Sequence, residues 1–66
     1  MQIYVNGEQK SISDGITLNL FLNEVQIKRK SIAVELNKKI VLPKAFEETK
    51  LQENDRLEIV QIVGGG

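Results

Sequence analysis

Only one segment of this chain has the periodicity of a helix, and short alternating segments lie on both sides of it. Within residues 18–25 the apolar residues recur at i, i+3, i+4 and i+7, namely Leu18, Phe21, Leu22 and Val25. This spacing places them along one side of a helix, and Thr17 directly before it is a preferred N-cap residue. A single amphipathic helix needs another element to cover its apolar stripe. The sequence therefore predicts a helix packed on one face of a sheet.

The segment before the helix has the pattern of a β-hairpin. Ile3 and Val5 alternate with polar neighbours, and Asn6-Gly7 is a dipeptide typical of tight turns between antiparallel strands. The second arm, residues 9–13, is more polar. We therefore expect the second strand to lie at an edge of the sheet.

Three further strands are predicted after the helix, over residues 31–37, 40–42 and 57–63. Pro43 suits the first position of a short helical turn that runs through Phe46. A right-handed crossover through the helix would return the chain beside the first hairpin, so that the first and last strands lie parallel at the centre. We expect an α+β, β-grasp fold, with a mixed sheet packed on one helix.

This layout predicts one domain, residues 1–63, followed by a flexible tail, residues 64–66. Its expected core consists of the apolar residues that face the helix or belong to it: Ile3, Val5, Ile12, Leu18, Phe21, Leu22, Val25, Val34, Leu36, Leu51, Leu57 and Ile59.

The composition argues against several classes of function. The 66 residues include no cysteine and no histidine, which argues against disulfides, thiolate metal sites and the commonest general base. Nine basic and nine acidic residues balance, so net charge gives no signal for nucleic acid. No apolar run approaches the length of a membrane span. We expect a cytoplasmic protein that binds neither nucleic acid nor membrane.

The last predicted strand carries apolar residues on both of its faces. If Leu57 and Ile59 face the helix, Val60 and Ile62 point to the opposite side of the sheet. Tyr4 and Ala33 are candidates to lie beside them on neighbouring strands, which predicts a partner-docking face of Val60, Ile62, Tyr4 and Ala33.

The chain ends in three glycines, Gly64, Gly65 and Gly66. Without Cβ atoms they can pass through a narrow channel and leave the terminal carbonyl open to attack. An α-carboxylate is ionised at neutral pH and is a poor acyl donor, but its adenylate can be attacked by sulfur, nitrogen or oxygen. This chain has no phosphate-binding loop, so the ATP-binding site for such activation would belong to another protein.

Four stretches together resemble the ThiS family, the small sulfur carriers of thiamin biosynthesis. They are "IYVNGE", "TLNLFL", "IAVELNKKIVLPK" and "LQENDRLEIVQIVGGG", and they span nearly the whole chain. There are two departures from the family pattern. Asn54 replaces a usual glycine, which is tolerable because asparagine adopts the left-handed conformation. Lys38-Lys39 replaces a frequent Gly-Glu pair, which could alter a partner contact.

The resemblance implies a cycle in which Gly66 is the sulfur-carrying residue. A ThiF-like enzyme would adenylate Gly66, and a persulfide, from a cysteine desulfurase or another sulfur donor, would convert the adenylate to a thiocarboxylate. A ThiG-like thiazole synthase would then take the sulfur. Gly64 and Gly65 would be tail-passage residues. The chain itself would be a co-substrate with no catalytic residue, no metal site and no bound cofactor, because ATP and Mg are used by the activating enzyme.

Three alternatives remain open on sequence alone. The first is a sulfur carrier for molybdopterin synthesis or another sulfur pathway. The second is a ubiquitin-like modifier that joins Gly66 to lysines. The third is a small enzyme using acidic residues such as Glu47 and Glu48, which is disfavoured because adjacent helical side chains diverge.

Overall fold

The computed structural model describes residues 1–27 and 32–61, and their elements follow the predicted order of strand, strand, helix, strand, strand, strand. The strands are β1 (Gln2–Val5), β2 (Glu8–Ser11), β3 (Ile32–Leu36), β4 (Lys39–Val41) and β5 (Arg56–Gln61). Helix α1 spans Leu18–Glu24, and a short 3-10 turn spans Pro43–Ala45. The predicted turn after Pro43 is therefore confirmed.

The five strands form one mixed sheet in the order β2-β1-β5-β3-β4. β1 and β5 are parallel, with Tyr4 opposite Arg56 and Val5 opposite Leu57. β3 lies antiparallel on the other side of β5. The last strand is thus the central strand of a β-grasp sheet, as predicted, and β2 and β4 are its edges.

Both hairpins close through two-residue turns with left-handed backbone. Asn6 and Gly7 have φ values of 51° and 85°, and Asn37 and Lys38 have φ values of 51° and 71°. Positive φ at both central positions matches the right-handed twist of the flanking strands. Strand β4 begins one residue earlier than the predicted strand over residues 40–42, because Lys39 already pairs with Leu36.

Helix α1 begins after the predicted N-cap, Thr17, and ends at Glu24, one residue before Val25, the last residue of the predicted apolar stripe. The Thr17 hydroxyl accepts a hydrogen bond from the Leu20 amide at 3.2 Å. At the other end Gln26 is left-handed with φ of 61°, and the amides of Gln26 and Ile27 donate to the carbonyls of Asn23 and Leu22. This pair of bonds is a Schellman motif. The helix therefore stops at Glu24 although no glycine marks its end.

Most of the predicted core is buried, with three kinds of correction. The assignment of Val25 to the core is wrong, because this residue lies where the chain turns out of the helix and is 37% exposed. Ile27 packs against the core instead. Ile12 and Leu36 are only partly buried against the core. Three buried residues were missing from the prediction: Ile16, Ile32 and Phe46.

Phe46 is buried because the 3-10 turn and the start of the helix are tied together. The Phe46 amide donates to the Pro43 carbonyl at 3.1 Å, and its carbonyl accepts from the Asn19 amide at 3.1 Å. The Leu18 amide also donates to the Thr49 carbonyl at 2.7 Å. These bonds tie the segment that carries Phe46 to the start of the helix, and Phe46 is 1% exposed within the core cluster.

Among residues 1–27 and 32–61, no helix combines the length and the hydrophobicity that a membrane span requires.

Candidate functional site at the end of the central strand

The residues that would carry the chemistry follow directly from β5. The described part of this strand ends at Gln61, which pairs with Ile32 on β3. Ile62, Gly64, Gly65 and Gly66 lie outside the described residues. The geometry that bears on the site is therefore that of β5 and the strands beside it.

The side chains of β5 alternate as the sequence predicts. Leu57 and Ile59 are buried, whereas Val60 is 59% exposed. Ala33 lies directly opposite Val60 and is exposed on the same face of the sheet. The predicted neighbourhood of Val60 and Ala33 is thus present, and their role in docking stays a prediction.

Tyr4 does not lie beside Val60, so that part of the predicted arrangement is wrong. The parallel register places Tyr4 opposite Arg56, at the start of β5. The Arg56 guanidinium carbon is 4.7 Å from the centre of the Tyr4 ring, a cation–π contact. Four residues along a strand separate Val60 from this contact by roughly 13 Å. A partner would have to cover most of β5 to touch both side chains.

Two carboxylates occupy the middle of the same sheet face. Glu35 on β3 lies directly opposite Glu58 on β5, and both are exposed. Within the part of the chain that the structure describes, neither forms an ion pair. Like charges directly opposite each other on neighbouring strands are unfavourable. The open face is therefore apolar at Val60 and Ala33, and acidic next to them.

The Asn6 side chain fixes β5 just before its exposed end. Its amide nitrogen donates to the Ile59 carbonyl at 3.1 Å, and its amide oxygen accepts from the Ile59 N–H at 2.8 Å. The Asn6 backbone amide also donates to the Leu57 carbonyl at 2.8 Å. The asparagine thus continues the strand pairing beyond Val5, where β1 ends. The sequence pattern assigns Asn6 only to a turn, because no local signal reveals a bond to a residue 53 positions away.

A second asparagine fixes the other end of β5. The Asn37 side chain accepts from the Arg56 N–H at 3.0 Å and donates to an Asp55 carboxylate oxygen at 3.0 Å. Asn54, which precedes this contact, has φ of 68°. The expectation that asparagine tolerates the left-handed conformation at this turn is confirmed.

The Asn6 contacts lead to a stability prediction. We expect Asn6→Gly to lower the free energy of unfolding by about 1–3 kcal/mol, because two net hydrogen bonds are lost. Asn6→Ala should cost roughly 1 kcal/mol more, since alanine is strained at positive φ. Urea denaturation followed by circular dichroism measures both values.

The matched control for the glycine substitution is Lys38→Gly. Lys38 also has a positive φ, of 71°, and its side chain forms no hydrogen bond with residues 1–27 or 32–61. This change should be neutral or stabilising. If Asn6→Gly unfolds at the same urea concentration as the wild type, the Asn6 side chain does not hold β5.

The described residues contain no group of three or more His, Cys, Asp or Glu side chains placed to hold a metal ion. Glu47 and Glu48, the acid and base of the small-enzyme alternative, are both exposed to solvent.

Comparison with known proteins adds an independent line of evidence. The sequence profile of the ThiS family matches residues 3–66. The sulfur carrier protein ThiS of Bacillus subtilis is 35% identical over 65 residues, which cover 97% of this chain and 98% of that protein. The crystal structure of the thiamine biosynthesis protein ThiS from Geobacter metallireducens superposes with a TM-score of 0.86 at 25% identity, covering 100% of both chains.

A larger relative also contains a segment like this chain. The thiazole synthase of Paramagnetospirillum magneticum is 33% identical over 66 residues, which are 100% of this chain. The chain spans only 20% of the length of that thiazole synthase.

Proposed function

This chain belongs to the ThiS family of sulfur carriers in thiamine biosynthesis, and we propose that it carries sulfur on the carboxyl group of Gly66. The observation that carries this proposal is that the family match extends through the last glycine, Gly66. In this role the chain is a co-substrate that is consumed and regenerated in each cycle, and other proteins supply the catalysis.

The first proposed step is adenylation of the tail. One oxygen of the Gly66 carboxylate attacks the α-phosphorus of ATP, and pyrophosphate leaves. The product is an acyl adenylate whose AMP group is a good leaving group. A ThiF-like enzyme would hold the ATP and its magnesium ion, because positioning and charge neutralisation of phosphates need a dedicated site.

The second proposed step exchanges the leaving group for sulfur. The terminal sulfur of a protein persulfide attacks the Gly66 carbonyl and displaces AMP, which gives an acyl disulfide. A thiol then attacks the sulfur that belonged to the donor protein. The new disulfide leaves, and the thiocarboxylate remains on Gly66. Cysteine desulfurase is the proposed origin of the persulfide.

The proposed acceptor of this sulfur is thiazole synthase, and the carboxylate returns after transfer. The proposal is supported by the thiazole synthase relative in which a segment like this chain is part of the same polypeptide. A carrier and a synthase that share one chain stay together through many cycles. Linkage in one polypeptide raises the effective concentration of each segment for the other, which supports a functional contact between carrier and synthase.

The proposed docking face lies at the end of β5 that leads, in sequence, to the tail. Val60 and Ala33 present apolar surface on neighbouring strands, and Asn6 holds β5 firmly at Ile59, the residue before Val60. An ordered strand end limits the entropy that is lost when a partner binds the residues beyond it. The contacts of β5 thus support a role in presenting the tail to the activating enzyme.

We expect Val60→Glu to lower kcat/KM for adenylation by at least about tenfold, which corresponds to about 1.4 kcal/mol. The new carboxylate would be buried against the partner without a counter-charge. ATP–pyrophosphate exchange with the activating enzyme measures this rate. The free energy of unfolding should change by no more than about 0.5 kcal/mol, because the position is exposed.

Leu20→Glu is the matched control. Leu20 is 52% exposed, close to the 59% of Val60, but it lies on the helix rather than on the open face of the sheet. This variant should exchange pyrophosphate at the wild-type rate. Equal losses of exchange in the two variants, or equal losses of stability and exchange in Val60→Glu, would contradict the proposed docking face.

A further inference from the structure

A second surface of the molecule has the properties of a contact site. A groove of about 460 Å³ lies between the edge strand β4 and the segment that follows it. Ile40, Leu42, Val41 and Ala45 supply apolar surface, and the lysines Lys39 and Lys44 also line the groove.

Two large aliphatic side chains at this groove are unusually exposed. Ile40 is 71% exposed and Leu42 is 54% exposed, and they are only two residues apart. With Val60, they are the most exposed large hydrophobic residues in the described part of the chain. Adjacent exposed aliphatics on a small protein indicate a surface that a partner covers.

The two charged residues that line the groove are both lysines, whereas the nearest carboxylate that the pairing shows, Glu35, lies opposite Ile40 on β3. Lys39 and Lys44 form no ion pair with any carboxylate among residues 1–27 and 32–61. A segment that fills this groove would therefore need apolar side chains for Ile40 and Leu42, and carboxylates for the two lysines. Charge complementarity selects an acidic, apolar segment.

Edge lysines also have a protective role, because they discourage pairing between sheet edges. That role explains Lys39, which lies on the edge strand β4. It does not explain Lys44, which lies in the 3-10 turn after this strand. It does not account for Ile40, whose exposed aliphatic side chain would promote the contacts that a protective lysine prevents. The combination of lysines and exposed aliphatics is better explained by a specific partner.

One residue of the groove, Ile40, lies on the same open face of the sheet as Val60, whereas alternation along β4 places Lys39 and Val41 on the helix side. Ile40 is opposite Glu35, and Glu35 is opposite Glu58 on β5. Two strand spacings, roughly 10 Å, therefore separate Ile40 from the central strand. One partner can cover both surfaces, and a stable interface of about 800 Å² per partner needs more than Val60 and Ala33 provide.

We propose that this groove binds an extended, acidic and apolar segment of the thiazole synthase. The inference rests on the proposed function, in which the synthase is the partner that receives sulfur from the carrier. The groove would anchor the carrier on the synthase.

The test is the affinity of the full-length carrier for the intact thiazole synthase of the same organism, measured by isothermal titration calorimetry. Lys39→Glu combined with Lys44→Glu should weaken binding at least tenfold. Ile40→Ser should weaken it at least fivefold. Raising the salt concentration should weaken binding of the wild type more than binding of the double variant, because the ammonium–carboxylate contacts are screened.

The matched control is Lys10→Glu combined with Lys50→Glu. Both lysines are exposed, and Lys10 lies on β2 at the opposite edge of the sheet. This control changes the net charge by the same amount and should bind within twofold of the wild type. An equal loss in the control, or no loss in the groove variants, would overturn the proposal.

Two further measurements keep the outcome interpretable. In ¹⁵N spectra of the wild-type carrier, addition of the synthase should attenuate the amide signals of Ile40 and Leu42, and unchanged signals would overturn the groove proposal even if a variant fails to fold. Thiocarboxylate formation with the activating enzyme reports separately on the proposed function. If the groove variants form the thiocarboxylate normally and also bind the synthase like the wild type, the groove proposal is wrong and the proposed function still stands.

Discussion

Removal of Gly66 is expected to abolish sulfur transfer while the domain stays folded. The proposed chemistry takes place at the carbonyl carbon of this residue, so a shorter tail places the carboxylate of Gly65 away from the reacting phosphorus. Misplacement by one residue, up to about 3.3–3.6 Å, removes the alignment on which attack depends. Addition of one glycine after Gly66 should also abolish sulfur transfer, because the terminal carboxylate would then extend one residue too far. The measured quantity is the rate of sulfur transfer to the thiazole synthase, and we expect this rate to fall at least about a thousandfold.

The controls for the tail variants separate chemistry from folding. The described core lies within residues 3–59, so both variants should unfold at the urea concentration of the wild type. Lys50→Ala, a change at an exposed residue outside the tail, should transfer sulfur normally. Retention of the wild-type rate after deletion of Gly66 would mean that the sulfur is carried elsewhere.

Phe46→Ala is expected to cause a larger loss of stability than the substitutions at Asn6, Val60 or Lys38. The side chain is 1% exposed and packs in the same cluster as Leu18. Truncation of a buried phenylalanine costs about 3–5 kcal/mol through lost burial and the cavity left behind. A domain of 66 residues is expected to have a total stability of only about 3–10 kcal/mol. Urea denaturation should therefore show a large loss of stability or a population that is already unfolded in buffer.

Val25→Ala is the natural counterpart of this variant. The helical pattern of the sequence assigns Val25 to the core, whereas the structure leaves it 37% exposed. Its truncation should cost less than about 1 kcal/mol. If Val25→Ala proves more destabilising than Phe46→Ala, the packing described for the helix and the 3-10 turn is incorrect.

These two residues show how far sequence patterns could predict the core. The helix stripe and the alternating strands identified most buried positions, because burial there follows directly from periodicity. Phe46 has no such pattern around it and is buried through backbone bonds between the 3-10 turn and Asn19. Val25 fits the helical stripe but lies where a left-handed glutamine, Gln26, ends the helix. Glutamine carries no local signal for that conformation.

The candidate site was predictable to a similar extent. Alternation along the last strand placed Val60 on the open face, and the β-grasp layout brought Ala33 beside it. The position of Tyr4 depends on the register between β1 and β5, which the sequence pattern does not specify. The contacts of Asn6 with Ile59, and the association of Lys39 and Lys44 around one groove, depend on tertiary structure.

Intact mass spectrometry of the carrier tests the central claim most directly. The protein is incubated with the activating enzyme, Mg-ATP and a sulfide source, and its mass is compared with that of a sample without ATP. The proposed function predicts an ATP-dependent gain equal to the difference between a sulfur and an oxygen atom, located by fragmentation at Gly66. An unchanged mass, or a sulfur found at any other residue, would contradict it.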